Sequence, residues 1–128
     1  MSRLALADGW EIQVDRGPDW LFVKLIPPAN PFEDKGDLAE QIWGVLEQQF
    51  VYRVVLEFDD VPLLHSQLIG ALVRLSRRIE SQGGLLRICG LSADNLQALR
   101  STRVTRLIPY YANRADAVMG HQYPMQPR

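Results

Sequence analysis

A histidine and a serine stand next to each other shortly after a pair of aspartates, and together they include the residue types of a hydrolytic triad. Ser66 would be the nucleophile, His65 the base and Asp60 the residue that orients the imidazole. Neighbouring residues at a helix start point in different directions, and no Gly-x-Ser-x-Gly turn surrounds this serine. We therefore predict no catalytic residue and no enzymatic activity.

Neither the acidic pair nor the single cysteine forms a recognisable metal site. Asp59 and Asp60 follow a predicted buried strand, where paired carboxylates can bind magnesium, but the chain lacks a second acidic cluster after its first strand. Aspartates are common in turns, so we interpret the pair as solvated turn residues. Cys89 has no partner for a disulfide or a zinc site, which indicates a core residue in a reducing compartment. No metal and no cofactor is predicted.

Ser66 has two interpretations, which the residues alone leave open. It lies at or near the N-cap of the helix that follows, where its hydroxyl would accept a hydrogen bond from a backbone N–H. Alternatively, Ser66 is a phosphorylation site, because a helix N-terminus accommodates a phosphate of charge about −1.5 to −2. In a docked interface the phosphate would be desolvated or would lie near carboxylates of the partner, and either effect opposes binding. A loss of about 3 kcal/mol of binding free energy weakens binding roughly a hundredfold.

The elements that position these residues begin with a hairpin. Residues 10–15 alternate between apolar and polar, residues 16–19 break the pattern, and residues 20–26 form the second arm. The prolines in residues 27–31 then force irregular backbone, because each proline fixes its own φ and restricts the residue before it.

A helix and a buried strand follow the loop. Asp37 and Glu40 resemble a capping box, which predicts a helix ending near Gln49. Residues 53–58 form a short, β-branched, nearly continuous apolar run, which is typical of a strand covered on both faces. This strand belongs in the centre of the sheet.

The helix that begins near Ser66 has the most regular pattern. Its inward residues at helical spacing are Leu68, Ala71, Leu72, Leu75 and Ile79. Gly83 and Gly84 supply a left-handed stop, and residues 85–89 form a further short strand.

Shorter elements complete the chain. Ser92 caps a helix, residues 108–111 form a last short strand, and Asn113 caps a final helix, before a flexible tail over residues 120–128. The inward residues of the final helix are predicted to be Ala115, Val118 and Met119.

Alternating strands and helices require a largely parallel sheet with right-handed crossovers, and the opening hairpin adds an antiparallel pair. We predict an α/β fold in one domain of residues 1–128, with a core over about residues 10–119. A mixed sheet, made of the N-terminal hairpin and parallel strands, is packed with about four α-helices.

Charge and composition exclude several classes of partner. The net charge is −1, which argues against a nucleic-acid-binding face, and no stretch is long and apolar enough for membrane insertion. Because we identify no stretch with the pattern of a targeting segment, we expect a cytoplasmic protein. Acidic residues concentrate in the first half and arginines in the second, which would steer a charged partner unless folding interleaves the two halves.

Three stretches, 54–58, 61–72 and 83–92, resemble the STAS domain of bacterial anti-anti-sigma factors. The resemblance covers roughly residues 10–119 and implies the STAS fold. The family signature is Asp-Ser-Ser/Thr-Gly, whose first serine is phosphorylated by an anti-sigma kinase, and Ser66 occupies that position. His65, Gln67 and Leu68 replace the other three signature residues.

The resemblance implies a regulatory protein-interaction domain whose partner is an anti-sigma factor or a kinase-like protein. The residues expected to contact the partner are Asp59, Asp60, Leu63, His65, Ser66 and Gln67. An alternative implied by the same family is a non-phosphorylated scaffold subunit of a sensory or transport assembly. The oligomeric state is expected to be a monomer or a weak dimer.

Overall fold

A computed structural model describes residues 2–6, 9–29 and 37–120 of the protein. Within these residues, a six-stranded sheet follows the chain order of its strands, with two antiparallel pairings and then three parallel ones. The strands are β1 (Ser2–Ala5), β2 (Glu11–Arg16), β3 (Leu21–Ile26), β4 (Arg53–Glu57), β5 (Leu85–Cys89) and β6 (Tyr110–Tyr111). The helices are α1 (Leu38–Gln49), α2 (Ser66–Ser81), α3 (Ala93–Ser101) and α4 (Arg114–Met119), with a 3₁₀ turn at Val104–Arg106. The predicted α/β class with a mixed sheet is confirmed.

The predicted N-terminal hairpin is also confirmed, and an additional strand extends it. β2 and β3 pair antiparallel with Val14 opposite Val23. The backbone N–H of Gly17 closes the turn by donating to the carbonyl of Trp20 at 2.9 Å. β1 pairs with β2 at the edge of the sheet, with Ser2 opposite Val14. All four β1 side chains are exposed, so no hydrophobic alternation marked this strand in the sequence.

Strand β4 lies inside the sheet and is covered on both faces, as the sequence predicts. Val54 and Leu56 belong to the larger core cluster, which includes the buried faces of α1 and α2. Val55 belongs to a smaller cluster on the opposite face, together with Trp20 of the hairpin and Ala117 of α4. The segment that leaves the end of β4 therefore starts from a rigid, buried layer.

Helix α1 begins where its capping residue was predicted. The Asp37 carboxylate accepts a hydrogen bond from the backbone N–H of Glu40 at 3.3 Å. The Glu40 carboxylate forms an ion pair with Arg78 of α2, and the Arg78 guanidinium lies 4.9 Å from the centroid of the Trp43 ring. These contacts, together with the shared core, hold α1 and α2 against each other.

Helix α2 stops at the two glycines, as predicted. The N–H of Gly83 donates to the carbonyl of Glu80 at 2.9 Å, and the N–H of Gly84 donates to the carbonyl of Ile79 at 3.0 Å. This pair of bonds is the Schellman motif, which requires a left-handed residue that glycine adopts without strain. Gly83 has that conformation, with φ of +74°.

The C-terminal elements depart in part from the prediction. Asn113 caps α4 by accepting from the N–H of Asp116 at 2.9 Å, as expected. The predicted inward residues are wrong, since Ala115 and Val118 are exposed and Met119 is 68% exposed, whereas Ala117 is buried. A helix of six residues touches the sheet along one narrow line, so its apolar spacing does not fix which side chains are covered. The last strand is also shorter than predicted, at Tyr110–Tyr111.

Folding interleaves the two charge-biased halves of the chain. Arginines from the second half pair with carboxylates from the first: Arg74 with Asp37, Arg78 with Glu40, and Arg114 with both Asp15 and Glu57. The division of charge along the sequence therefore does not persist as two opposite poles.

In the described part of the chain, no helix combines the length and apolarity needed to cross a bilayer.

Candidate functional site

All six predicted partner-contacting residues lie between the end of β4 and the first turn of α2, in a stretch that we call the β4–α2 surface (residues 59–67). Five of them are exposed: Asp59, Asp60, Leu63, Ser66 and Gln67. Leu63 is a large apolar residue with 51% exposure. His65 is half-buried. The segment therefore presents one large apolar side chain among exposed polar ones.

Helix α2 is capped by His65 and not by Ser66. His65 has the extended backbone of an N-cap residue, with φ of −89° and ψ of 169°. Its Nδ1 atom accepts a hydrogen bond from the backbone N–H of Leu68 at 3.3 Å. Ser66 is the first helical residue. The capping interpretation of Ser66 is therefore wrong, because a ring nitrogen one position earlier takes the role that a serine hydroxyl usually fills.

The same hydrogen bond bears on the triad that the residue types suggested. In a Ser-His-Asp triad, the Nδ1–H of the histidine donates a hydrogen bond to the carboxylate. In this protein, Nδ1 of His65 accepts a hydrogen bond from the backbone N–H of Leu68. Asp60 instead forms an ion pair with Lys24 at 3.7 Å. The arrangement is the reverse of the one that a triad requires.

A buried asparagine that the sequence did not single out holds the β4–α2 surface in place. Asn95 of α3 is fully buried. Its side-chain oxygen accepts from the N–H of Leu64 at 2.9 Å, and its side-chain nitrogen donates to the carbonyl of Val61 at 2.9 Å. Val61 and Leu64 are buried as well. The segment therefore has a fixed backbone with its exposed side chains presented outward.

Asn95 gave no recognisable signal in the sequence. It is the third residue of α3, where its own N–H is bonded to the capping hydroxyl of Ser92 at 3.1 Å. A polar residue at that position is ordinary for the first turn of a helix. Only the packing of α3 against the β4–α2 segment shows that the Asn95 side chain bonds to the backbone of that segment.

Gly90 is a second residue of the site that sequence reasoning did not single out. It follows β5 with φ of +76°, and a Cβ atom placed there would lie 1.7 Å from Oδ1 of Asp59. The Asp59 carboxylate therefore packs directly on the Gly90 backbone. Any larger residue at position 90 would have to displace Asp59 and would also be strained.

The electrostatics at the start of α2 favour a negative group. The first turn of α2 carries no acidic side chain. The opening N–H groups of a helix lack intrahelical partners, and the helix dipole places partial positive charge at that end.

Across the described ranges, no group of three or more His, Cys, Asp or Glu side chains is placed so that it could hold a metal ion.

Cys89 lies at the end of β5 beside this site and is shielded from solvent, at 1% exposure. Burial raises the pKa of the Cys89 thiol to about 12, and the negative charges of Glu57 and Asp59 act in the same direction. The prediction of a core cysteine is confirmed. The aromatic residues Trp43, Tyr110 and Tyr111 are likewise buried and belong to the core.

We expect the free energy of unfolding to fall as the pH rises above about 8.5, by at most about 1.4 kcal/mol per pH unit. The unfolded chain releases the thiol proton near that pH, whereas the folded chain retains it up to about pH 12. Urea denaturation between pH 8.5 and 10, comparing the native chain with Cys89→Ala, measures the difference in slope. Equal slopes, or rapid alkylation of Cys89 in the folded protein at pH 8, would contradict the assignment.

Comparisons with known proteins identify similar folds and one matching family. The family model of the STAS domain matches residues 31–117. No curated protein sequence matches the chain.

Three solved structures illustrate the likeness. An anti-sigma factor antagonist from Mycobacterium paratuberculosis is 15% identical, with a TM-score of 0.72 over 91% of this chain and 97% of that one. A variant of RsbS from Moorella thermoacetica is 12% identical, with a TM-score of 0.70 over 85% and 92%. The anti-sigma factor antagonist SpoIIAA in its unphosphorylated form is 12% identical, with a TM-score of 0.59 over 85% and 94%. At these identities, the likeness shows a shared fold.

Proposed function

The chain belongs to the STAS domain family, and on that premise we propose that it is a regulatory protein-interaction domain acting as an anti-sigma factor antagonist in the cytoplasm. Its partner in this proposal is an anti-sigma factor or a kinase-like protein, which docks on the β4–α2 surface. The observation that carries the proposal is the exposure of Leu63, Ser66 and Gln67 on a backbone held by a buried side chain.

Preorganisation supports docking at this surface. A loop that must be ordered on binding loses part of the interaction free energy to that ordering. The two hydrogen bonds of Asn95 and the burial of Val61 and Leu64 fix the segment before any partner arrives. The exposed Leu63 then offers apolar area, while Asp59 and Gln67 at either side offer hydrogen-bonding groups.

We further propose that phosphorylation of Ser66 releases the partner. The hydroxyl is exposed, and because His65 provides the cap, modification of Ser66 leaves the capping hydrogen bond in place. The positive end of α2 accommodates the phosphate within the domain. In the docked state, the same phosphate would lie between two protein surfaces, where its desolvation weakens binding.

The experiment compares Ser66→Ala with Ser66→Asp in binding to an anti-sigma kinase from the same genome. We expect Ser66→Ala to bind like the native chain and Ser66→Asp to bind about tenfold more weakly, because the added charge is desolvated on docking. Isothermal titration calorimetry measures both constants. Incubation with the kinase and ATP, followed by mass mapping, should place phosphate on Ser66.

The matched control is Ser81, an exposed serine at the opposite end of the same helix. Ser81→Asp should leave partner binding unchanged. If Ser66→Ala and Ser66→Asp bind equally and no phosphate is found, the regulatory step is wrong. The chain would then act as the alternative expected from the family, a non-phosphorylated scaffold subunit of a sensory or transport assembly.

A further inference from the structure

Phe50 ends helix α1 in a conformation that is unfavourable for its residue type. Its backbone lies in the left-handed region, with φ of 55° and ψ of 35°, and its N–H donates to the carbonyl of Glu47. Glycine or asparagine usually occupies this position, because a bulky side chain is strained there. The residue is 83% exposed, so it gains little burial in return. Neither the backbone nor the core of a single molecule explains a phenylalanine at this position.

An open groove of about 550 Å³ lies directly beside this ring. It is lined by Phe50 itself, by Pro18 of the β2–β3 turn, and by Val51 and Tyr52, which lead into β4. The groove is wide and open to solvent, so a side chain of a second molecule can reach it. It lies at the end where β4 begins, about 16 Å of strand away from the β4–α2 surface. It is therefore separate from the surface assigned to the regulatory partner.

The groove carries charged groups of both signs. Asp19, Arg16 and Arg53 all contribute to its lining. Arg16 donates to the side chain of Gln49 at 3.3 Å. Among the residues that the structure describes, neither Asp19 nor Arg53 takes part in an ion pair. Both groups are available to pair with charges outside the molecule.

We propose that this surface binds a second copy of the chain around a two-fold axis. A two-fold interface uses the same patch on both molecules, so the patch must be complementary to itself. The patch is complementary to itself because it has an exposed aromatic ring next to a groove and carries both a carboxylate and a guanidinium. Phe50 of each copy enters the groove of the other, and Asp19 of each copy faces Arg53 of the other. Aromatic and arginine side chains commonly dominate the binding energy of such interfaces.

Sedimentation velocity over a concentration series tests the dimer. The native chain should show a reversible monomer–dimer equilibrium, and Phe50→Asn and Phe50→Gly should each raise the dimer dissociation constant roughly 30-fold. The same substitutions should raise the melting temperature of the monomer by about 2–4 °C, because both residues tolerate a left-handed backbone. A residue with a purely structural role would shift stability in the opposite direction. Met119→Ala removes another exposed apolar side chain and should change neither quantity.

A charge exchange identifies the paired residues. Asp19→Arg alone and Arg53→Asp alone should each fail to dimerise, because each places like charges opposite one another twice. An equimolar mixture of the two variants should form a heterodimer, because both contacts are then between opposite charges. Misfolding of a variant cannot produce this restoration.

The proposal is overturned if the native chain stays monomeric up to about 1 mM, if Phe50→Asn leaves the equilibrium unchanged, or if the mixed variants do not associate. Weakened binding of the regulatory partner by Phe50→Asn, with no dimer detected, would assign the groove to that partner instead. Ser66→Asp should dimerise like the native chain, so failure of the regulatory proposal and failure of this one are distinguishable.

Discussion

Replacing Asn95 with alanine is expected to lower the free energy of unfolding by about 3 kcal/mol. The amide makes two hydrogen bonds of 2.9 Å, one from the N–H of Leu64 and one to the carbonyl of Val61. Removing it leaves two buried backbone groups without partners, each at a cost of about 1–3 kcal/mol, beside a cavity. Urea denaturation with a two-state fit measures the loss.

Hydrogen exchange separates loss of these two bonds from general damage. In the native chain the Leu64 amide should be protected, and in Asn95→Ala it should exchange rapidly even where the protein remains folded. The proposed partner binding at the β4–α2 surface should weaken in parallel, because the segment must then be ordered on docking. Gln97→Ala, at an exposed position of the same helix, is the control and should stay within about 0.5 kcal/mol of the native chain. A loss under 1 kcal/mol with Leu64 still protected would contradict the assigned role.

Replacing Arg114 with methionine is expected to destabilise the fold by about 3 kcal/mol. Arg114 binds both oxygens of Glu57, each at 2.8 Å, and donates to Asp15 at 2.8 Å. Its guanidinium also lies 4.2 Å from the centroid of the Phe22 ring. These hydrogen bonds, those to Glu57 first, raise the pKa of Arg114 above its usual value, so the residue stays charged.

The destabilisation arises mainly at Glu57, whose residue exposure is 8%. Without Arg114, a nearly buried carboxylate at the end of β4 loses its counter-charge. Arg114 itself is 37% exposed, so solvent moderates the effect and places it at the lower end of the range for buried pairs.

A double-mutant cycle tests the pairing. Arg114→Met combined with Glu57→Gln should recover at least about 1 kcal/mol relative to the sum of the single changes. Arg106→Met, at an exposed arginine without an ion pair to the described residues, should be nearly neutral. Additive losses in the cycle would show that the two side chains act independently.

Much of the fold was predictable because its signals are local. The helical period in α2, the apolar run of β4 and the glycine stop at Gly83 each depend on residues within a few positions of one another. The caps at Asp37, Ser92 and Asn113 are local in the same way, since each accepts a hydrogen bond from an N–H three residues later. Strand β1 was missed because its side chains are all exposed, and only pairing with β2 makes it a strand.

The sequence placed the candidate site residues in one segment but did not reveal the contacts that hold that segment. The residues expected to contact a partner lie near one another because they are close in sequence. The choice between His65 and Ser66 as cap depends on the backbone angles of two neighbouring residues, which residue preference alone does not determine. The roles of Asn95 and Arg114 depend on contacts with residues 31 to 99 positions away.

By itself, the sequence determined the order of the predicted elements, the buried strand at the centre and the approximate start of the helix near Ser66. Tertiary structure decided which side chain caps that helix, what holds the preceding segment rigid and which charges are paired. The difference is one of distance along the chain. Periodicity and capping are short-range consequences of backbone hydrogen bonding and burial, whereas buried polar contacts exist only once separate elements have packed together.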